Sequence, residues 1–170
     1  MFVFPNHRGL SFLAADGCRE TTMDAVEQNR MTAVVLDTSV LVAAARSKNG
    51  ASQRLLRLLP DPRFQPAISV PLFAEYSTVL NRREHLMGRT PAQVDAFLDF
   101  LLSSSSLHDI FYLWRPQLAD PDDDMILELA VAASCRYIIT HNVRDFRGAE
   151  RFGIEAITPG LFLRRMGETA

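Results

Sequence analysis

The sequence predicts an α/β protein whose parallel sheet carries helices on both faces. Two observations lead there. Short β-branched runs, such as Ala33-Val34-Val35-Leu36 and Tyr137-Ile138-Ile139, read as strands, and segments with apolar positions three and four apart fall between them as helices. Strands that alternate with helices pair in parallel, and each crossover helix buries its apolar stripe on a face of the sheet. With 170 residues, 48% of them hydrophobic, the chain can form one core of domain size.

The elements follow in order. Residues 1–30 mix polar, charged and apolar positions without a sustained period, and are expected to be a poorly ordered N-terminal extension or a start-site artefact. Organisation changes at Met31, where Thr32 to Leu36 opens a domain over 31–170 as its first strand. Thr38 and Ser39 are candidate caps for a helix from Val40 to Ala45, and a second helix from Ser52 to Leu59 stops at Pro60-Asp61-Pro62. Ala67-Ile68-Ser69 is a short strand, followed by a helix from Pro71 to Arg83 with proline in its first turn. Thr90-Pro91-Ala92-Gln93 starts a helix that runs into Ser103 to Ser106, a tract expected to be a solvated loop. Ile110 to Leu113 reads as strand, Pro121 to Ser134 as helix, Arg136 to Thr140 as a buried strand and Glu155 to Thr158 as a last strand before a terminal helix.

Composition narrows the function classes. Eighteen basic against twenty acidic residues give a net charge of -2, so bulk charge does not mark a nucleic-acid binder. Lys48 is the only lysine, and an arginine-rich basic set suits bidentate phosphate recognition as well as it reflects compositional bias. Cys18 and Cys135 lie far apart without metal-ligand spacing, so neither a zinc site nor a disulfide framework is suggested and a reducing cytoplasm is expected. His7, Arg8 and Asp16 break the apolar start before a signal core forms, and no run reaches the ~20 apolar residues of a membrane span.

The acids are the informative side chains. Asp37 closes the first strand at its C-terminal end, which in open α/β sheets faces the ligand crevice; a helix cap is the plainer account. Asp120-Pro121-Asp122-Asp123-Asp124 crowds four carboxylates into five residues, and like charges that close need a cation or helix-cap donors. Asp123 lies three residues before Ile126 and four before Leu127, so it is expected to project from the buried face while Asp124 and Glu128 turn away. Glu75 borders the stripe formed by Leu72, Phe73, Tyr76, Val79 and Leu80, an edge position where a glutamate is usually a snorkelling or solvated side chain, so spacing alone does not make it a site residue. Beyond the strand ending at Thr140, either Asp145 or Asn142 can reach the same crevice.

The succession VVLDTSVLVAA, Glu75 in a helix, DPDDDMILELA and YIITHNVRDF resembles the PIN domain family over about residues 33 to 160, in particular the VapC-like toxins of bacterial toxin-antitoxin pairs. The resemblance implies a three-layer α/β/α sandwich with a central parallel sheet of four to five strands, and makes 31–170 a nuclease domain. It implies an endoribonuclease dependent on Mg²⁺ or Mn²⁺ that leaves 5′ phosphate and 3′ hydroxyl ends. Asp37, Glu75, Asp123 and Asp145 are then the catalytic acids, with Asp37 and Asp123 holding the metal directly, an all-oxygen donor set suited to either ion. Asp120, a recurrent position in the family's DPxD variant or only the cap, joins Asp124, Asn142, Thr38 and Thr140 as auxiliary positions. Asn142 stands where other branches have an aspartate, so either it or Asp145 completes the site. Arg46, Lys48, Arg82, Arg83, Arg144 and Arg147 follow site-bearing elements and are candidates for binding RNA. A small antitoxin and a second copy of the chain are the implied protein partners. An RNA-processing nuclease outside such a pair, or a non-catalytic PIN-like interaction module, is the alternative. A haloacid-dehalogenase-like phosphatase needs a second aspartate where Ser39 stands, and an EF-hand loop fails at Met125 and Val131.

Overall fold

The computed structural model describes residues 31–86, 88–110, 117–118 and 120–168. The extension expected over residues 1–30 and most of the strand expected over Ile110 to Leu113 lie outside them. Five parallel strands form one sheet: β1 (Thr32–Leu36), β2 (Phe64–Ile68), β3 (Ser106–Leu107), β4 (Tyr137–Ile139) and β5 (Glu155–Ile157), in the order β3-β2-β1-β4-β5. The connecting helices are α1 (Thr38–Arg46), α2 (Ala51–Arg57), α3 (Val70–Leu80), α4 (Arg83–Leu86), α5 (Pro91–Ser103), α6 (Pro121–Ala132) and α7 (Pro159–Arg165), with a 3-10 turn over Ala149–Phe152. The result is the expected three-layer α/β/α sandwich. No helix among the described residues is long and apolar enough to cross a membrane.

Continuous apolar runs make the central strands. Val34, Val35, Ile138 and Ile139 are fully buried, as a strand covered on both faces requires. Val34 pairs with Tyr137 and Leu36 with Ile139, and the Asp37 amide extends the ladder by donating to the Ile139 carbonyl at 2.9 Å. Phe162 of α7 locks the far side, edge-on to Phe64 at 5.3 Å and to Tyr137 at 5.7 Å. Helix starts are capped by short polar side chains: Ser69 for α3, Thr158 for α7 and a reciprocal Thr90–Gln93 box for α5.

Four expectations change. The Ser103 to Ser106 tract is not wholly loop: Ser106 and Leu107 pair with Ala67 and Ile68 as edge strand β3, held by main-chain bonds rather than by a side-chain pattern. β2 starts earlier, at buried Phe64, and Ser69 is a cap rather than its end. The helix expected to continue to Arg83 ends at Leu80 with Asn81 as C-cap, and Arg83 opens the separate short helix α4. The cap of α1 is Asp37 and not Thr38 or Ser39, so the helix begins one residue after β1.

The strand order matters most for function. β1 lies between β2 and β4, where the chain switches the direction in which strands are added, and crossovers leaving opposite faces open a crevice beyond the C-terminal ends of these strands.

Candidate active site

Asp37 stands at that crevice, only 7% exposed. Its Oδ2 accepts hydrogen bonds from the Ser39 hydroxyl and the Thr140 hydroxyl, both at 2.5 Å. Among the described residues, Oδ1 accepts only a long bond of 3.3 Å from the Ser39 main-chain N–H. One oxygen is thus saturated by two hydroxyls, and the other keeps most of its acceptor capacity. Thr140 is completely buried at the end of β4, and its hydroxyl also accepts from the Asn142 amide at 2.9 Å. The tight turn after β1 therefore aims Asp37, and β4 fixes the aim.

Glu75 comes from α3, which crosses back from β2. It is half-buried, and its Oε1 accepts from the Thr38 hydroxyl at 2.6 Å. Its neighbour Tyr76 is buried and donates to the Leu36 carbonyl, the last of β1. Burial, with the negative charges of Asp37 and Glu75, holds the Tyr76 phenol well above its ordinary range, so it stays an uncharged donor.

Asp120 caps α6 by accepting from the Asp122 amide at 3.0 Å, which places the following acids in the first turn. Asp123 is half-buried, and its carboxyl is pushed up to about 6, first by desolvation and then by the charges of Asp37, Asp120, Asp145 and Glu75. Acids from four distant parts of the chain thus act on one another here. Asp145 is exposed in the turn after β4, its amide bonded to the Asn142 carbonyl at 3.0 Å. Asn142 is also exposed and adds no charge.

The expected orientations within α6 are wrong for two acids. Asp124 is 1% exposed and Glu128 4%, both more buried than Asp123. Ile126, Leu127, Leu129 and Ala130 are all buried as well, so this helix has no single core-facing stripe from which facing can be read. The Asp124 carboxylate accepts the peptide N–H groups of Gln117 at 3.1 Å and Leu118 at 2.9 Å, and is spent on holding the segment that enters α6.

The six basic candidates are all exposed. Arg144 and Arg147 flank Asp145. Arg46 ends α1, about 13 Å along the helix axis from Asp37, with Lys48 just beyond it. Arg82 and Arg83 follow the end of α3. None of the six forms an ion pair with another described residue. Ser39, Tyr76, Ser52 and His141 were not among the site residues expected from the sequence. The three consecutive polar residues Asp37-Thr38-Ser39 after an apolar strand were the available signal for Ser39.

No group of three or more His, Cys, Asp or Glu side chains among the described residues stands close enough together to form a ready ion cage. The donor chemistry nevertheless suits a hard divalent cation: the groups acting on Asp123 are all carboxylates, Asp37 keeps one oxygen open, and the field that raises Asp123 is one such a cation relieves.

Sheet order and acids define a class, an α/β protein with an acidic crevice at the switch point of a parallel sheet. The chain belongs to the PIN domain family, whose sequence model matches residues 33–144 and whose members are generally nucleases. The match includes Asp37, Glu75, Asp123 and Asn142 and stops one residue before Asp145. Two solved structures share the fold. One is VapBC2 from Rickettsia felis bound to a DNA fragment from their promoter, 20% identical with a TM-score of 0.52 over 73% of this chain and 96% of the matched one. The other is PAE2754 from Pyrobaculum aerophilum, 17% identical with a TM-score of 0.54 over 80% of this chain and 96% of that one. No curated protein matches.

Proposed function

We propose that this PIN domain is a metal-dependent endoribonuclease that hydrolyses RNA phosphodiester bonds, and that it serves in the cytoplasm as the toxin of a toxin-antitoxin pair. The observation that carries the reading is Asp37, buried beyond β1 at the switch point of the sheet and held there by Ser39 and Thr140, with Glu75, Asp120 and Asp145 adding to its charge on the Asp123 carboxyl. Structural proteins rarely keep so many like charges in one field without a use for them.

Asp37 and Asp123 would hold Mg²⁺ or Mn²⁺. When bound, such an ion stabilises charge on phosphoryl oxygens and makes water a usable nucleophile at neutral pH. The protein's part is orientation. Ser39 and Thr140 hold Asp37 Oδ2 and leave Oδ1 with one long bond, available to the ion. Thr38 holds one oxygen of Glu75 and leaves the other to direct the attacking water. Asp145 supports the same water from the loop after β4, and cleavage leaves 5′ phosphate and 3′ hydroxyl ends. Asp120 remains a cap that adds charge, and Asn142 a neutral neighbour. Arg144 and Arg147 offset repulsion between these acids and the RNA backbone, and Arg46, Lys48, Arg82 and Arg83 extend the contact along the strand. A small antitoxin and a second copy of the chain are the protein partners of this reading, the first in keeping with the fold shared with a VapBC2 structure.

The chemical reading is tested by Asp37→Asn and Asp123→Asn chains shown to be folded. Both should lose RNA cleavage with Mn²⁺, and wild-type rates in either would end the nuclease assignment. The biological role is tested by inducing the chain with and without its neighbouring gene and mapping RNA 5′ ends. Growth arrest and new ends relieved by the neighbour are expected. New ends without growth arrest would favour an RNA-processing role.

A further inference from the structure

The loop after β4 carries Asn142, Arg144, Asp145 and Arg147, and residues 141 to 145 are exposed. Exposed loops wander unless something fixes them. This one is fixed through His141 at two atoms. Its main-chain N–H donates to the Ser39 hydroxyl at 3.2 Å, and that hydroxyl in turn donates to Asp37. Its ring Nε2 lies 2.8 Å from the Ser52 hydroxyl, 89 residues away on the first turn of α2. Ser52 is 3% exposed, and its hydroxyl is satisfied by this imidazole. A buried hydroxyl needs a partner, so the pair is more than a chance surface contact. On the far side of the loop, Phe146 is buried as an apolar anchor.

We propose that His141 and Ser52 are a positioning pair that holds the Asn142–Arg147 loop against the acidic crevice, so that Asp145 and its flanking arginines meet the RNA strand at the cleavage point. The pair acts through the loop and does not touch the reacting atoms. Without it the loop keeps its Ser39 tether, the Asn142 bond to Thr140 and its Phe146 anchor, but gains freedom to swing between Asn142 and Phe146, and a small misplacement of a water-directing carboxylate costs far more rate than stability. The inference rests on the ribonuclease reading.

The test compares His141→Ala, Ser52→Ala, the double variant and His141→Gln in single-turnover RNA cleavage with Mn²⁺, scaled to folded protein. Each single alanine variant should slow cleavage by about tenfold. The double variant should be no slower than either, because both substitutions break the same link. Glutamine, whose amide reaches about as far as Nε2, should recover most of the rate. Long-range ¹H–¹⁵N spectra of the metal-free protein should show one imidazole tautomer in wild type and an averaged ring in Ser52→Ala. If Ser52→Ala does not fold, the exposed His141 variants alone decide the matter. Equal rates in wild type and His141→Ala, or additive losses in the double variant, overturn the proposal and leave the nuclease reading intact. A wild-type chain that cleaves no RNA overturns both.

Discussion

The Thr140 hydroxyl donates to Asp37 Oδ2 at 2.5 Å, joining residues 103 apart at the ends of two adjacent parallel strands. Replacing Thr140 by valine keeps the shape and removes the donor. Asp37 then retains Ser39 but loses the restraint from β4, and the Asn142 amide loses its acceptor. Thr140→Val should lower stability by about 1 kcal/mol in urea unfolding, and RNA cleavage by at least tenfold. Unchanged cleavage would mean that Asp37 is aimed by the β1 turn alone.

Asp124 should behave in the opposite way. Its carboxylate satisfies two peptide N–H groups in a buried setting. Asp124→Ala should destabilise the fold by about 2 kcal/mol while leaving the cleavage rate per folded molecule within a factor of about two. A selective loss of activity without loss of stability would place Asp124 in the chemistry.

Asp123 sets a pH dependence. Its folded carboxyl sits near 6 against an ordinary value of 3.8, so between these the folded state binds more protons than the unfolded one. Stability of the metal-free protein should therefore be full below pH 4 from this group and fall as pH rises through 6. The group is only half-buried, so the loss stays well under the ~1.4 kcal/mol per pH unit of a fully shielded site. Thermal unfolding from pH 4 to 7 checks the sign: Asp123→Asn should flatten the profile, and Mn²⁺ should raise the melting temperature of wild type but not of the variant.

Arg144 and Arg147 lie beside Asp145, and their role is electrostatic. Alanine at both should raise KM for RNA more than it lowers kcat, and reduce the slope of log affinity against log salt by about 0.7 for each phosphate that is no longer neutralised. A salt dependence identical to wild type would show that the strand runs elsewhere.

Much of this was legible in the sequence, and the exceptions have a common cause. β1 and β4 announce themselves because a strand buried on both faces is apolar throughout. Asp37 was legible because a charge directly after such a run has few places to go. β3 was not, since a strand of two residues paired mainly through its main chain is too short to show an alternating side-chain pattern. The facing of Asp123 and Asp124 could not be read because α6 is buried around most of its circumference. His141 and Ser52 were invisible for a third reason: a contact across 89 residues has no trace in one sequence.

The Tyr76 phenol, bonded to the final carbonyl of β1, has a mechanical consequence. It is adjacent to Glu75 in α3, so the helix that delivers the second acid is indexed to the strand that delivers the first by an uncharged pin. Sliding or rotating α3 by one residue would break this pin and move Glu75 off Thr38 in the same motion. Between Ser69 and Glu75 the chain thus has no slack, whereas an added residue after Asn81, beyond the last turn, leaves the indexing untouched. The spacing of the two acids is gauged from the backbone of the sheet, and the stretch that can change length without moving them begins where that gauge ends.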